Sequence, residues 1–257
     1  MQTSDKCRKG LRSALAFLLA LHCTLATAQS EGGLIVGAEA EKKINKQLSI
    51  GLEAEMRTRN NFKTMDRWKF GVGASYKLTK WLKASAGYDL LDYNNREKIS
   101  YKASGAYNHW RPSYYGVKHR FNIALTGAYK FQNNIKVSLR ERWQYSYRPE
   151  TSTDRWDFDE AQWEDDYTRS GKGKNQLRSR IEVSYDKKRA KIEPYASAEF
   201  YHSWAIEKVR YTVGADYKLN KQHSIGAFYR FQNMKNVDDE DYDPDMHYLG
   251  IGYKFKF

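Results

Sequence analysis

Tyr253-Lys254-Phe255-Lys256-Phe257 closes the chain, and its alternation decides how the rest is read. In a β-strand, residues i, i+2 and i+4 share one face. Tyr253, Phe255 and Phe257 therefore form an aromatic stripe, and Lys254 and Lys256 a cationic one. A wall strand of a membrane barrel turns such an apolar stripe to lipid and its polar stripe to the lumen. Upstream, Leu48, Ile50, Leu52, Ala54 and Met56 interleave with Ser49, Gly51, Glu53, Glu55 and Arg57. Trp68, Phe70, Val72, Ala74, Tyr76 and Leu78 interleave with Arg67, Lys69, Gly71, Gly73, Ser75 and Lys77. The pattern returns near 34–41, 82–90, 119–131, 135–147, 177–186, 190–202, 208–219, 224–232 and 246–257. Period 2 over so many segments specifies strands; a helix needs apolar residues at i, i+3 and i+4, which these segments lack.

The connections alternate in length. Short turns fall at 43–46, 79–80, 132–134, 187–189 and 220–222. Longer connections fall at 58–66, 91–118, 149–176 and 233–245, with a brief one near 203–207. Short turns on one rim and long loops on the other are the layout of an outer-membrane barrel, with the long loops external. The last strand then runs inward. Eleven segments conflict with the even strand number of bacterial single-chain barrels. The expectation is therefore 10 or 12 strands, with 34–41 the segment in question. A hairpin hidden in 91–118 leaves the parity unchanged.

A soluble β-sandwich or lipocalin-like barrel would gather Leu, Ile and Val on its inner face. Here the apolar face is rich in Tyr, Trp and Phe. The opposite face carries Glu53, Glu55, Arg57, Arg140, Arg142, Arg178, Arg180, Glu182, Glu193, Glu199, Arg210, Asp216 and Arg230. A face so charged needs water or mutual pairing.

Composition agrees. Twenty tyrosines and only four prolines in 257 residues favour strands. No segment after residue 28 is apolar enough for a membrane helix, and mean hydropathy is −0.85; neither excludes a barrel, in which alternate residues alone meet lipid. The first 28 residues read as a secretory signal. Lys6, Arg8, Lys9 and Arg12 form a basic region, Ala14 to Leu21 an apolar run too short to span a bilayer, and Ala26-Thr27-Ala28 a small-x-small cleavage form. Ala20-Leu21-His22 is the wrong lead-in for lipidation at Cys23. The mature chain is expected at 29–257, a single barrel domain. Both cysteines, Cys7 and Cys23, leave with the signal, so no disulfide, thiol nucleophile or cysteine metal site is expected. Four cations and one anion leave too, and the net charge falls from +13 to +10. The charges alternate along strands and gather at turns, which argues against nucleic acid as a partner.

The chain also resembles a known family. The stretches that carry the resemblance are Tyr76-Lys77-Leu78-Thr79-Lys80, Trp110 with His119-Arg120, Leu139-Arg140-Glu141-Arg142-Trp143-Gln144 and Leu177-Arg178-Ser179-Arg180. Further on come Pro194-Tyr195-Ala196-Ser197-Ala198-Glu199-Phe200 and Arg210-Tyr211-Thr212-Val213-Gly214-Ala215-Asp216-Tyr217. In order, these resemble a bacterial barrel family known as domain of unknown function 2490, over essentially all of 29–257. The resemblance implies an outer-membrane barrel of a Gram-negative bacterium and no activity. The ending at Tyr253, Phe255 and Phe257 likewise resembles the last strand of outer-membrane barrels, whose terminal Phe the assembly machinery reads. The acidic loop 154–166 looks like a local elaboration.

Four sets of residues are candidates for function. Arg140, Arg142, Arg178 and Arg180 lie at i, i+2 spacing on consecutive strands, with Glu193 and Glu199 on the next. On one face they form a charged ladder. With Glu53, Glu55, Arg57, Arg210 and Arg230 they either ring an ion-selective bore or pair to close it. Glu141 falls on the lipid-facing phase, which predicts a bulge or slipped register there. Lipid hydrolysis, as in barrel phospholipases, asks for His-x-Ser or Ser-x-His on one strand. His109, His119, His202, His223 and His247 have no Ser at ±2, so no enzyme is expected unless a pair comes from different strands. Asp241, Asp243 and Asp245 alternate in an acidic loop and offer hard oxygen ligands to Ca²⁺, but the Gly and distal Glu of an EF-hand loop are missing. Solvated loops, bridged by divalent ions to lipopolysaccharide phosphates, are the plainer reading. Tyr107, Trp110, Tyr114, Tyr115, Trp156, Phe158, Trp163 and Tyr167 either stack on sugars or form loop packing and an outer aromatic girdle. No cofactor is implied. The expected partners are outer-membrane lipid, lipopolysaccharide and the assembly machinery. The expected function is a small channel or passive transporter, with a closed barrel acting through its loops as the alternative.

Overall fold

A computed structural model describes residues 30–188, 190–235 and 243–257. Residues 1–28, expected to be a signal, and both cysteines lie outside them. Among the described residues the chain is all β. Eleven strands close into a barrel: β1 (Ser30–Lys43), β2 (Leu48–Arg59), β3 (Thr64–Lys77), β4 (Leu82–Asn95), β7 (Tyr114–Lys130), β8 (Ile135–Arg148), β11 (Lys172–Tyr185), β12 (Ile192–His202), β13 (Ile206–Lys218), β14 (His223–Met234) and β15 (Asp245–Lys256). All eleven alternating segments are wall strands, including the one at 34–41. The expectation of an even number is thereby corrected.

The correction has a simple geometric reason. In a meander, strand direction alternates, so the first and eleventh strands run the same way. The barrel closes only if they pair in parallel. They do: β1 runs beside β15 from Ser30↔Asp245 to Glu41↔Lys256. Every other wall pair is antiparallel. Arg96 bridges one end of this seam, donating to Glu31 of β1 at 2.8 and 3.0 Å and lying 3.5 Å from Asp243 just before β15. At the other end the Phe257 backbone N–H donates to the Glu41 carbonyl at 2.9 Å.

The remaining strands are β5 (Lys98–Tyr101), β6 (Tyr107–Arg111), β9 (Thr151–Asp157) and β10 (Gln162–Arg169), a separate sheet in the order β10-β9-β6-β5. Connection 91–118 does hide a hairpin, but it prolongs β4 and β7 beyond the wall. The hairpin in 149–176 prolongs β8 and β11 in the same way. Both arise on the long-loop rim.

The distribution of polarity inverts that of a soluble barrel. Leu52, Val72, Ile123 and Ile251 are outward and 63, 52, 58 and 53% exposed. Arg57 and Glu199 are inward and 3 and 7% exposed. Aromatics stand outward near both rims: Tyr76, Trp81, Tyr129 and Tyr217 toward the short turns, and Trp68, Tyr115, Trp143 and Tyr147 toward the long loops. This is the exterior that hydrocarbon and its two interfaces require. Tyr253, Phe255 and Phe257 face outward as expected, with the His223 ring 4.7 Å from Phe255 and Phe255 4.3 Å from Phe257.

Candidate functional site

Strand parity alone places the lumen residues. On β2, Glu53, Glu55 and Arg57 point in. On β8 and β11 the inward positions include Arg140, Arg142, Arg178 and Arg180, with Arg178↔Arg142 and Arg180↔Arg140 directly opposed. Four cations side by side demand an acceptor, and β12 supplies it through Arg180↔Glu199. Glu199 accepts from Arg140 at 2.6 Å, from Arg178 at 2.9 and 3.0 Å and from the Tyr201 hydroxyl at 2.8 Å. Arg210 of β13 lies 4.0 Å from it. The expected ladder therefore exists, centred on Glu199. Glu193 does not join it. It lies nearer the short turns and pairs with Lys218 on β13. Its distance along β12 puts it out of reach of the arginines. Elsewhere Glu55 pairs with Arg57 at 2.9 Å and Arg67 at 3.4 Å, Glu53 pairs with Lys69, and Arg230 donates to Thr212 at 3.2 Å.

Toward the long loops, the bore is packed. Tyr201 and Tyr248 are each 3% exposed inside it. The Tyr201 ring is flanked by Arg178, Lys208 and Arg210 at 4.5, 4.4 and 4.7 Å, and Arg57 lies 4.9 Å over Tyr248. Such cation–π contacts strengthen where water is excluded. Toward the short turns, the bore opens into a cavity of about 670 Å³. Twelve Lys and Arg residues line it against six Asp and Glu. Seven of its arginines (57, 67, 120, 140, 142, 178 and 180) have a buried Nε with no hydrogen-bond partner. The wall thus supplies more donors than acceptors.

Sequence reading missed Tyr201, Tyr248, Lys208 and Arg120 as lumen residues. The two tyrosines look like girdle aromatics by type. Their parity with Glu199 and Lys254, respectively, is the signal that places them inside.

Outside the lumen the expectations divide. Glu141 is in regular register, opposite Leu125 on β7 and Ser179 on β11. There is no bulge, and its side chain faces outward. It accepts from the Ser179 hydroxyl at 2.7 Å. Ser179 Oγ lies 3.2 Å from His202 Nε2 on β12. His119 and His247 bond outward tyrosines 88 and 229 at 2.8 and 2.6 Å. Of the three loop aspartates, Asp241 lies outside the described residues. Asp243 sits 3.5 Å from Arg96, and Asp245 accepts from the Met234 backbone N–H and from Asn233 at 2.7 and 2.9 Å. Protein donors therefore occupy both. In the four-stranded sheet, Tyr107 stacks on Phe158 at 5.2 Å and Trp163 packs on Trp110 and Trp156 at 5.5 and 5.6 Å, which is loop packing. His109, Asp157 and Glu164 each bring a ligand atom within 4.8 Å of the others. Glu164 is paired with Arg155, however, and the backbone N–H groups of Glu160 and Asp159 hold the Asp157 carboxyl below its ordinary range.

Among solved structures, the β domain of the Bordetella autotransporter BrkA is 11% identical, with 80% of this chain and 78% of that one covered and a TM-score of 0.48. The NanC porin is 12% identical, with 88 and 98% covered and a TM-score of 0.47. No curated protein matches the chain in sequence. A family model described as protein of unknown function (DUF2490) matches residues 36–243, and with the whole wall from β2 to β14 inside that match the chain belongs to this family.

Proposed function

We propose that the protein is an outer-membrane barrel of a Gram-negative envelope that passes small anionic solutes. The observation that carries this is the cavity in which twelve cations face six anions and seven arginines have a buried Nε that no protein acceptor satisfies. A low-dielectric wall focuses such a field and raises the local concentration of anions, and rings of like charge set selectivity in pores. Tyr253, Phe255 and Phe257 serve in this reading as the signal to the assembly machinery, with membrane lipid and lipopolysaccharide around the wall. The test is planar-bilayer conductance of the refolded chain from Gln29 to Phe257 under a salt gradient. Discrete steps with anion-favouring reversal potentials are expected, and Arg140→Ala with Arg180→Ala shifts them toward cations. Unchanged reversal potentials overturn the reading. The packing around Tyr201 and Tyr248 favours a second reading, a barrel closed at its long-loop end and acting through its loops, and a folded but silent barrel decides for it.

A further inference from the structure

A carboxylate on the lipid-facing side of a barrel wall is costly to keep there. Glu141 is such a carboxylate, with Leu139 and Trp143 as its outward neighbours on β8 and 55 and 44% exposed. It is held in register by both adjoining strands. Its partner is a hydroxyl, Ser179, and the third member is an imidazole, His202. The three come from β8, β11 and β12 and meet on the outer surface because Glu141 opposes Ser179 and Leu177 opposes His202. The distances are 2.7 Å from Ser179 Oγ to the carboxylate and 3.2 Å from Ser179 Oγ to His202 Nε2. His202 ends β12 at the long-loop rim, and Trp204, 75% exposed, lies in the turn that follows. Aromatics of that kind mark the level of the lipid headgroups.

We propose that Glu141, Ser179 and His202 form a serine hydrolase site for acyl esters of lipids lying against the barrel wall. A nucleophile within hydrogen-bond reach of a base is the pairing nucleophilic catalysis needs; the carboxylate here bonds the nucleophile rather than the base. The Ser179 hydroxyl turns its proton from Glu141 to His202 Nε2; Ser179 Oγ then bonds to the ester carbonyl carbon as that proton passes to the imidazole. As the carbonyl re-forms, the bond to the lipid alkoxide breaks, and His202 returns the proton to that oxygen. Water, deprotonated by His202, then attacks the acyl–serine carbonyl. The fatty acid leaves and Ser179 recovers its proton. No oxidant or cofactor enters. Glu141 touches only Ser179; it positions the hydroxyl and places negative charge beside the imidazolium formed in each half-reaction. The chemistry is shared by glycerophospholipids and by the acyl chains of lipopolysaccharide.

The chain from Gln29 to Phe257, refolded in detergent, is incubated with a fluorophosphonate probe. Separate samples receive phosphatidylethanolamine micelles or purified lipopolysaccharide, and released fatty acid is measured by mass spectrometry. Labelling of the wild type and release from one or both lipids are expected; the arm that releases acid identifies the source. Ser179→Ala abolishes both. His202→Gln lowers release about a hundredfold or more, and Glu141→Gln lowers it while leaving the barrel heat-modifiable and its conductance unchanged. An unlabelled, correctly folded wild type that releases nothing overturns the proposal, as does release that survives Ser179→Ala. Bilayer conductance is read independently, so failure here leaves the anion-channel reading standing.

Discussion

Glu199 holds the most crowded position in the lumen. Two arginines and a tyrosine hydroxyl donate to it, and a third guanidinium stands 4.0 Å away. Breaking a buried charge cluster by removing one sign strands the other in a low dielectric, at a cost of about 3–5 kcal/mol. Glu199→Gln is expected to destabilise the barrel by that order, read as a lower urea midpoint for tryptophan fluorescence in micelles. An unchanged midpoint would mean that water already satisfies these arginines. Tyr201 depends on the same residues, since its hydroxyl is held by Glu199 and its ring by three cations. Tyr201→Ala removes the ring from the packed end of the bore and is expected to raise single-channel conductance several-fold; a silent variant would place the closure elsewhere. Gly250 shows a tighter constraint. A Cβ there would lie 2.1 Å from Cζ of the Phe228 ring, so Gly250→Val displaces an aromatic inside the bore, with an overpacking cost of about 1–3 kcal/mol.

At the scale of the element, the seam between β1 and β15 has the sharpest consequence. Were β1 excluded, β15 would pair with β2 in a ten-stranded wall. Val36 is the partner of Ile251 across the parallel seam. Val36→Cys with Ile251→Cys is therefore expected to cross-link under a lipid-soluble oxidant. Met56→Cys with Ile251→Cys is not, because β1 holds them two strand spacings, about 9–10 Å, apart. The reverse pattern on non-reducing gels would return the wall to ten strands. Each wall strand was legible in the sequence because period 2 is enforced along its whole length by lipid on one side and charge on the other. The seam was not, since no residue pattern encodes which way a first strand runs beside a last one; it follows from counting. Glu141 misled because polarity alone does not fix phase: the Ser179 hydroxyl supplies that carboxylate with a partner on the lipid side. Glu193 misled for a different reason. Same-face placement fixes parity but not height along the strand, and Lys218 is the cation at its level.

Taken as a whole, the molecule is a charged bore inside an apolar shell, narrow toward its long loops and open toward its short turns. In the proposed channel, selectivity depends on how far the field of the lining charges extends into the solution. That distance is about 10 Å at 0.1 M salt and about 3 Å at 1 M. At low salt the six excess cations of the cavity wall act together on any ion entering from the short-turn side. At high salt each acts alone on what it touches. The chloride-to-potassium permeability ratio of the refolded barrel is therefore expected to lie well above one at 0.1 M and to fall toward one at 1 M. Reversal potentials measured at both salts, with the gradient applied from each side in turn, give this directly. A ratio above one that does not change with salt would assign discrimination to contact at the Tyr201 constriction, where Arg178, Lys208 and Arg210 stand within 4.7 Å of one ring. A ratio below one at either salt would mean that the acidic groups nearest the short-turn mouth, Glu39 and Glu41, govern entry before the arginines are reached.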